Sequence, residues 1–159
     1  MPVSTESEFS TKFTLMATFR TCISSPNPPA DVFAYLARFS NAAYWDPGIS
    51  GAEDITPGPP VFGSTYRLQV RFLGYSVPLE YQIEEIDAPK HVVLRAENAI
   101  VRSIDVIGVA PTPSGGSSVT YEATLTPKGI SVVLAPLIGV VFRRIGGRAA
   151  AGLRTALGA

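Results

Sequence analysis

Few residues in this chain have types and spacing suited to chemistry, and most of them stand inside apolar segments. Asp105 lies in "VRSIDVIGVAP", where Ser103, Asp105, Ile107 and Val109 share one face of a strand and Arg102, Ile104, Val106 and Gly108 the other. Alternation does not decide which face is inside. If Asp105 faces inward, burial raises its pKa and makes it a candidate acid or base. If it faces outward, a cross-strand pair with a neighbouring arginine accounts for it, and this is the favoured expectation. Tyr66, Tyr81 and Tyr121 fall at the inward positions of alternating segments. Their hydroxyls suit either hydrogen bonding to a polar group on an apolar ligand or a rim position on core rings.

The only tryptophan, Trp45, sits in "FSNAAYWDPGI". It reads as a wedge between short helices and a sheet, or as part of a ligand-binding wall. Asp46-Pro47-Gly48 reads as a helix stop, because the residue before proline disfavours helix, so Asp46 is given no catalytic role. His91, at a turn in "APKHVV", and Cys22, on the polar face of the first strand, read as surface residues rather than as a general base and a reactive thiol.

One histidine and one cysteine cannot assemble the usual zinc site. The G-x-S-x-G and G-x-x-x-x-G-K-S/T patterns are both missing. No metal and no cofactor are expected. A formal net charge of zero gives no nucleic-acid footprint, so nucleic acid is not an expected partner. All 13 acids lie at or before Glu122, whereas Lys128, Arg143, Arg144, Arg148 and Arg154 follow it. The basic tail reads as the solvated face of a terminal helix, with a surface meeting anionic lipid or an acidic partner as the alternative.

The elements that must position these residues follow from periodicity. "KFTLMATFRTCI", from Lys12 to Ile23, alternates as a half-buried strand. "SSPNPPADVFAYLARF" changes to helical spacing, with prolines suited to a first turn and Asp31 to the positive helix end. Ser40 is placed to cap a second short helix through Tyr44. A weak strand near Ser50 to Ile55 then leads into a meander. "TYRLQVRF" and "SVPLEYQIEE" each carry one apolar face, and Gly74 marks the hairpin between them. Arg67 and Arg71 on one outer face match Glu80 and Glu84 on the other. Strands near His91–Glu97, Val101–Val109 and "VTYEATL" bring the count to about seven.

From about Ile130 to Leu157 the chain reads as one long helix. Leu137, Val141, Ile145, Ala149, Leu153 and Leu157 form its apolar stripe, Pro136 delays its start, and Gly146-Gly147 weakens its middle. The apolar run "GISVVLAPLIGVVF" falls short of the roughly 20 residues of a membrane span and reads as a buried helix. No transmembrane segment is expected. A polar, acidic start without a signal-peptide pattern and a lone cysteine fit a cytoplasmic location. Residues 1–11 are expected as a flexible N-terminus and 12–159 as one domain.

The segments "VFAYLARFSNAAYWDPGI", "FGSTYRL", "DVIGVAP", "GGSSVTYEATLTPKG" and "RAAAGLRTAL", in this order and spacing, resemble the polyketide cyclase/dehydrase and lipid transport family of the SRPBCC superfamily, actinobacterial in type. The resemblance spans about residues 13 to 157. It implies an α+β helix-grip fold of the START and birch-pollen-allergen kind: a curved seven-stranded antiparallel sheet round a long C-terminal helix, with two short helices after the first strand and an internal apolar cavity. Trp45, Tyr66, Leu68, Val70, Leu79, Tyr81, Tyr121, Val141 and Ile145 are the expected cavity residues. A hydrophobic small molecule, such as a lipid, polyketide or isoprenoid-like compound, is the expected partner. The leading function is binding or transport of that molecule. The first alternative is aromatase/cyclase chemistry drawing on Asp105, Tyr121, and possible help from Arg95 or Arg102. The second is contact with a membrane surface or another protein through the basic helix. Oligomeric state is left open.

Overall fold

The computed structural model describes residues 16–159. The expected tail and the Lys12–Leu15 start of the first strand lie outside the described residues. In chain order the elements are β1 (Ala17–Ser25), α1 (Pro29–Ala37), a 3-10 turn (Phe39–Asn41), α2 (Ala42–Trp45), β2 (Ile49–Asp54), β3 (Thr65–Phe72), β4 (Tyr75–Asp87), β5 (His91–Glu97), β6 (Val101–Pro111), β7 (Ser117–Pro127), a second 3-10 turn (Gly129–Leu134) and α3 (Ala135–Ala156). The seven strands form one antiparallel sheet in the order β1-β7-β6-β5-β4-β3-β2. This is the helix-grip arrangement.

Strand alternation sorts the side chains as expected. Tyr66, Leu68, Leu79, Tyr81, Ile83, Val92, Leu94, Ile107 and Val119 are buried on the inner face. On the outer face Arg67 lies opposite Glu80, its Nη2 2.6 Å from Glu80 and its Nη1 2.7 Å from Glu53. The β3–β4 link is a two-residue turn with positive φ at both Leu73 and Gly74, the combination that matches the twist of paired strands. Glycine takes this conformation freely, whereas a leucine there is strained.

Pro29 occupies the first turn of α1, where its missing N–H costs nothing. Ser40 does not cap α2. It lies within the 3-10 turn and donates its hydroxyl to Asp54, which Arg38 also binds. The residue planned as a cap instead ties the short helices to β2. Asp46 does leave the helix in extended conformation, as its position before Pro47 requires.

The long helix departs from its expected face. A strict four-residue step advances 400°, so a stripe drawn through Leu153, Ala149 and Ile145 drifts about 40° per step towards Leu137. The structure follows the 3.6-residue period instead: Ile138, Ala149, Leu153 and the following Leu157 are buried, while Leu137 is half exposed. The apolar run before Phe142 is consequently not a buried helix. Ile130 and Val133 are 84% and 80% exposed, and Leu134 and Val140 are open to solvent too. By length and composition alone the 28-residue helical run Gly129–Ala156 could cross a membrane, but α3 packs on β1 and α2. Its last turn is fixed where Ser25 Oγ donates to the Leu157 carbonyl at 2.7 Å.

Candidate functional site

Between the sheet and the N-terminal half of α3 lies a cavity of about 370 Å³. Its walls are apolar: Val70, Val77 and Leu79 from β3 and β4, Ala123 and Leu125 from β7, and Ile138, Phe142 and Ile145 from α3. Phe19 of β1 closes one side against Gly146. At the mouth stand Leu73 and Tyr75 of the β3–β4 hairpin, Ile100 of the β5–β6 turn, and Leu134 of the second 3-10 turn. Lys128 holds this rim together, because its Nζ binds the Asn98 carbonyl at 3.1 Å and pairs with Glu97.

Polar groups gather at one place on the wall. Asp105 is only 3% exposed and faces inward. Its carboxylate accepts the Tyr121 hydroxyl at 2.6 Å and the Ser103 hydroxyl at 3.2 Å. The register explains the grouping. Asp105 lies opposite Ala123 on β7, so Tyr121, two residues along the same strand face, is its diagonal neighbour. Tyr81 of β4 is 6% exposed, lines the cavity, and brings its hydroxyl beside Ser103 and Asp105. Burial, with a smaller push from the Asp46 charge, raises the Asp105 carboxyl to about 6, against the Tyr121, Ser103 and Tyr81 hydroxyls that favour its charged form. Burial, followed by the Asp105 charge, likewise raises Tyr81 and Tyr121 well above the usual phenol.

The expected outward arginine pair for Asp105 is therefore incorrect. Arg95 and Arg102 point away from the cavity and pair with Glu97 on the outer face. A strand with apolar residues on both faces hid this difference, since Ile104 and Val106 are only half buried on the side assigned to water or to core. Asp46 is the residue that sequence reasoning missed. It lines the cavity from the α2–β2 turn, and its Oδ1 accepts the Gly48 N–H at 2.7 Å. Burial raises it to about 6 against that bond. The Asp-Pro-Gly pattern signals the turn but not the side to which its carboxylate points.

Of the other expected cavity residues, Val70, Leu79, Tyr81, Tyr121 and Ile145 line the space. Trp45, Tyr66, Leu68 and Val141 do not. Trp45 is a buried wedge whose ring meets the edge of Tyr121 at 5.8 Å. Tyr66 and Leu68 are fully packed, and the Tyr66 hydroxyl has no hydrogen-bond partner among the described residues. Val141 is only half-buried and, like Leu137 at the same end of the four-residue stripe, does not line the cavity. His91 stands on the outside, 3.4 Å from Glu85, and Cys22 is exposed. Among the described residues no group of three His, Cys, Asp or Glu is placed to hold a metal.

The family model described as polyketide cyclase / dehydrase and lipid transport matches residues 16–158. The chain belongs to this family. Among solved structures, it is similar to a START superfamily protein from Mycobacterium smegmatis, at 14% identity and TM-score 0.66, covering 89% of this chain and 96% of that one. It is also similar to the ZhuI aromatase/cyclase from Streptomyces sp. R1128, at 13% identity and TM-score 0.70, covering 89% and 91%. A third, the di-domain aromatase/cyclase StfQ of the steffimycin biosynthetic pathway, shares 10% identity at TM-score 0.69, with 94% of this chain covering 54% of that one. At these identities the likeness concerns the fold. No curated protein matches the sequence.

Proposed function

We propose that this family member binds an apolar small molecule in the internal cavity and shelters or carries it through the cytoplasm. The observation that carries this reading is the cavity itself: about 370 Å³, walled mainly by aliphatic and aromatic side chains, with the buried Ser103, Asp105, Tyr81 and Tyr121 gathered in one polar patch. That combination suits a ligand whose body is hydrophobic and whose orientation is set by a few hydrogen bonds. Native mass spectrometry of the purified protein should reveal a co-purified hydrophobic compound, or a broad thermal-shift screen should find one that stabilises it. Failure of both would overturn the binding reading.

A second reading draws on the Asp105–Tyr121 pair. A buried carboxylate poised near neutrality, bonded to a phenol and facing an apolar chamber, suits removal of a proton beside a ketone. Tyr81 is placed to hydrogen-bond the oxygen on which negative charge then develops. Aldol closure and dehydration of a poly-ketone need such groups. Turnover of a candidate polyketide that survives both Asp105→Asn and Tyr121→Phe would remove these residues from the mechanism.

A further inference from the structure

Resting on the binding reading, we propose that the ligand carries a protonated amine at its buried end, with Asp105 and Asp46 as its counter-charges. The inference comes from the sign of the polar patch. Two carboxylates enter the cavity, Asp105 from β6 and Asp46 from the turn after α2, and no Lys, Arg or His among the described residues lines it. Arg67 of β3, Arg95 of β5 and Arg102 of β6 are engaged with glutamates on the far side of the sheet. A desolvated carboxylate without a cationic partner is costly, and a bound ammonium ion would supply the missing charge.

The hydrogen-bonding geometry points the same way. Tyr121 and Ser103 occupy part of the Asp105 carboxylate, while Asp46 uses one oxygen for the Gly48 N–H. The nine-tenths-buried Tyr81 hydroxyl faces the cavity beside Ser103 and Asp105. Acceptor sites therefore remain at the patch, and an ammonium group brings up to three donors and no acceptor. A ligand carboxylate or phosphate would meet two like charges instead. The apolar walls accept the hydrocarbon of any of these molecules, so the head group decides among them.

Decylamine, decan-1-ol and sodium decanoate share a chain and differ only in that group. Their binding is measured by calorimetry and by quenching of Trp45, which touches Tyr121 behind the patch. At about pH 7.5 the amine should bind at least about tenfold tighter than the alcohol, and decanoate weakest. Lowering the pH to about 5 protonates Asp105 and Asp46; Ser103, Tyr81, Tyr121 and the Gly48 N–H face them, Tyr75 and Ser131 are the other polar residues of the lining, and α3 presents apolar side chains. The amine-to-alcohol ratio should then fall towards one. Asp105→Asn should lower the ratio at the higher pH, and Asp46→Asn tests the same point if the first variant does not fold. Equal affinities for all three probes, or tightest binding of decanoate, overturn the proposal and leave the binding reading standing. If none of the three binds, the proposal fails, while the binding reading stands or falls by the mass-spectrometric and thermal-shift tests.

Discussion

At its C-terminal end α3 lies so close to the short helices that a Cβ on Gly152 would stand 1.8 Å from the Trp45 carbonyl oxygen. At its N-terminal end the same helix stands off the sheet across a cavity and leaves Val140 in solvent, as the preceding 3-10 turn does Ile130 and Val133. The sheet beneath has one apolar face throughout. What differs is the size of the residues on the helix: Gly146, Ala149, Ala150 and Gly152 permit close approach, whereas Ile138, Phe142 and Ile145 prop it away. Packing density, and with it the division into scaffold and binding space, is therefore written mainly in the helix.

The comparison breaks most sharply at Gly152. An alanine there collides with backbone that cannot rotate aside, so Gly152→Ala should cost about 3 kcal/mol or more, at the upper end of overpacking penalties. Chemical denaturation would measure it, and a loss below about 1 kcal/mol would show that the docked end is looser than described. Gly146→Ala should cost less, about 1–3 kcal/mol, because the atoms met at 2.5 Å belong to the Phe19 ring, which can shift into the neighbouring cavity.

The polar patch is where the two regions meet, and its pH dependence has a definite sign. Asp105 and Asp46 both rise to about 6 from an ordinary value of 3.8. Between about pH 4 and 6 the folded chain holds protons that the unfolded chain has released, so their contribution to stability falls as pH rises through that window. Asp105→Asn removes one such group. Relative to the parent chain its stability should improve by about 1–3 kcal/mol between pH 4 and pH 7, measured from denaturation midpoints at both pH values. A constant difference would mean that Asp105 is not desolvated.

Much of the scaffold was legible because strands announce themselves by period two, and most strands of the meander kept that signal. The long helix was legible as a helix, but not in its facing, since six residues taken at steps of four concealed a drift that only the 3.6-residue period corrects. Asp105 was legible as an oddity and misplaced, because both faces of β6 carry apolar residues. Asp46 was masked by a sufficient local explanation. Its turn chemistry accounted for the residue type, and nothing local specifies which way a carboxylate in such a turn points. Of the four cavity residues that failed, Val141 follows from the facing of the helix, whereas Trp45, Tyr66 and Leu68 are inward as expected; inwardness alone does not distinguish a residue facing a void from one facing the short helices.

Gly147 separates the two regions by a smaller effect. It neighbours Gly146 in sequence but is exposed, and a Cβ there meets nothing within 4 Å. Gly147→Ala should therefore stabilise the protein by about 0.8–1 kcal/mol through helix propensity alone, opposite in sign to its neighbour. A destabilising result would imply contacts of α3 outside the described residues.

The smallest expected effect lies at the open end. Val133 is 80% exposed on the second 3-10 turn and does not line the cavity, so Val133→Thr removes no buried contact. Its unfolding free energy should stay within about 0.5 kcal/mol of the parent chain, while Leu153→Ala, a core truncation in the docked half of α3, should cost about 2–5 kcal/mol. Thermal and denaturant unfolding of the two variants side by side measures the contrast directly. Similar losses in both would mean that the 3-10 turn leading into α3 is as firmly seated as the C-terminal half of the helix, and that the division between scaffold and chamber lies elsewhere.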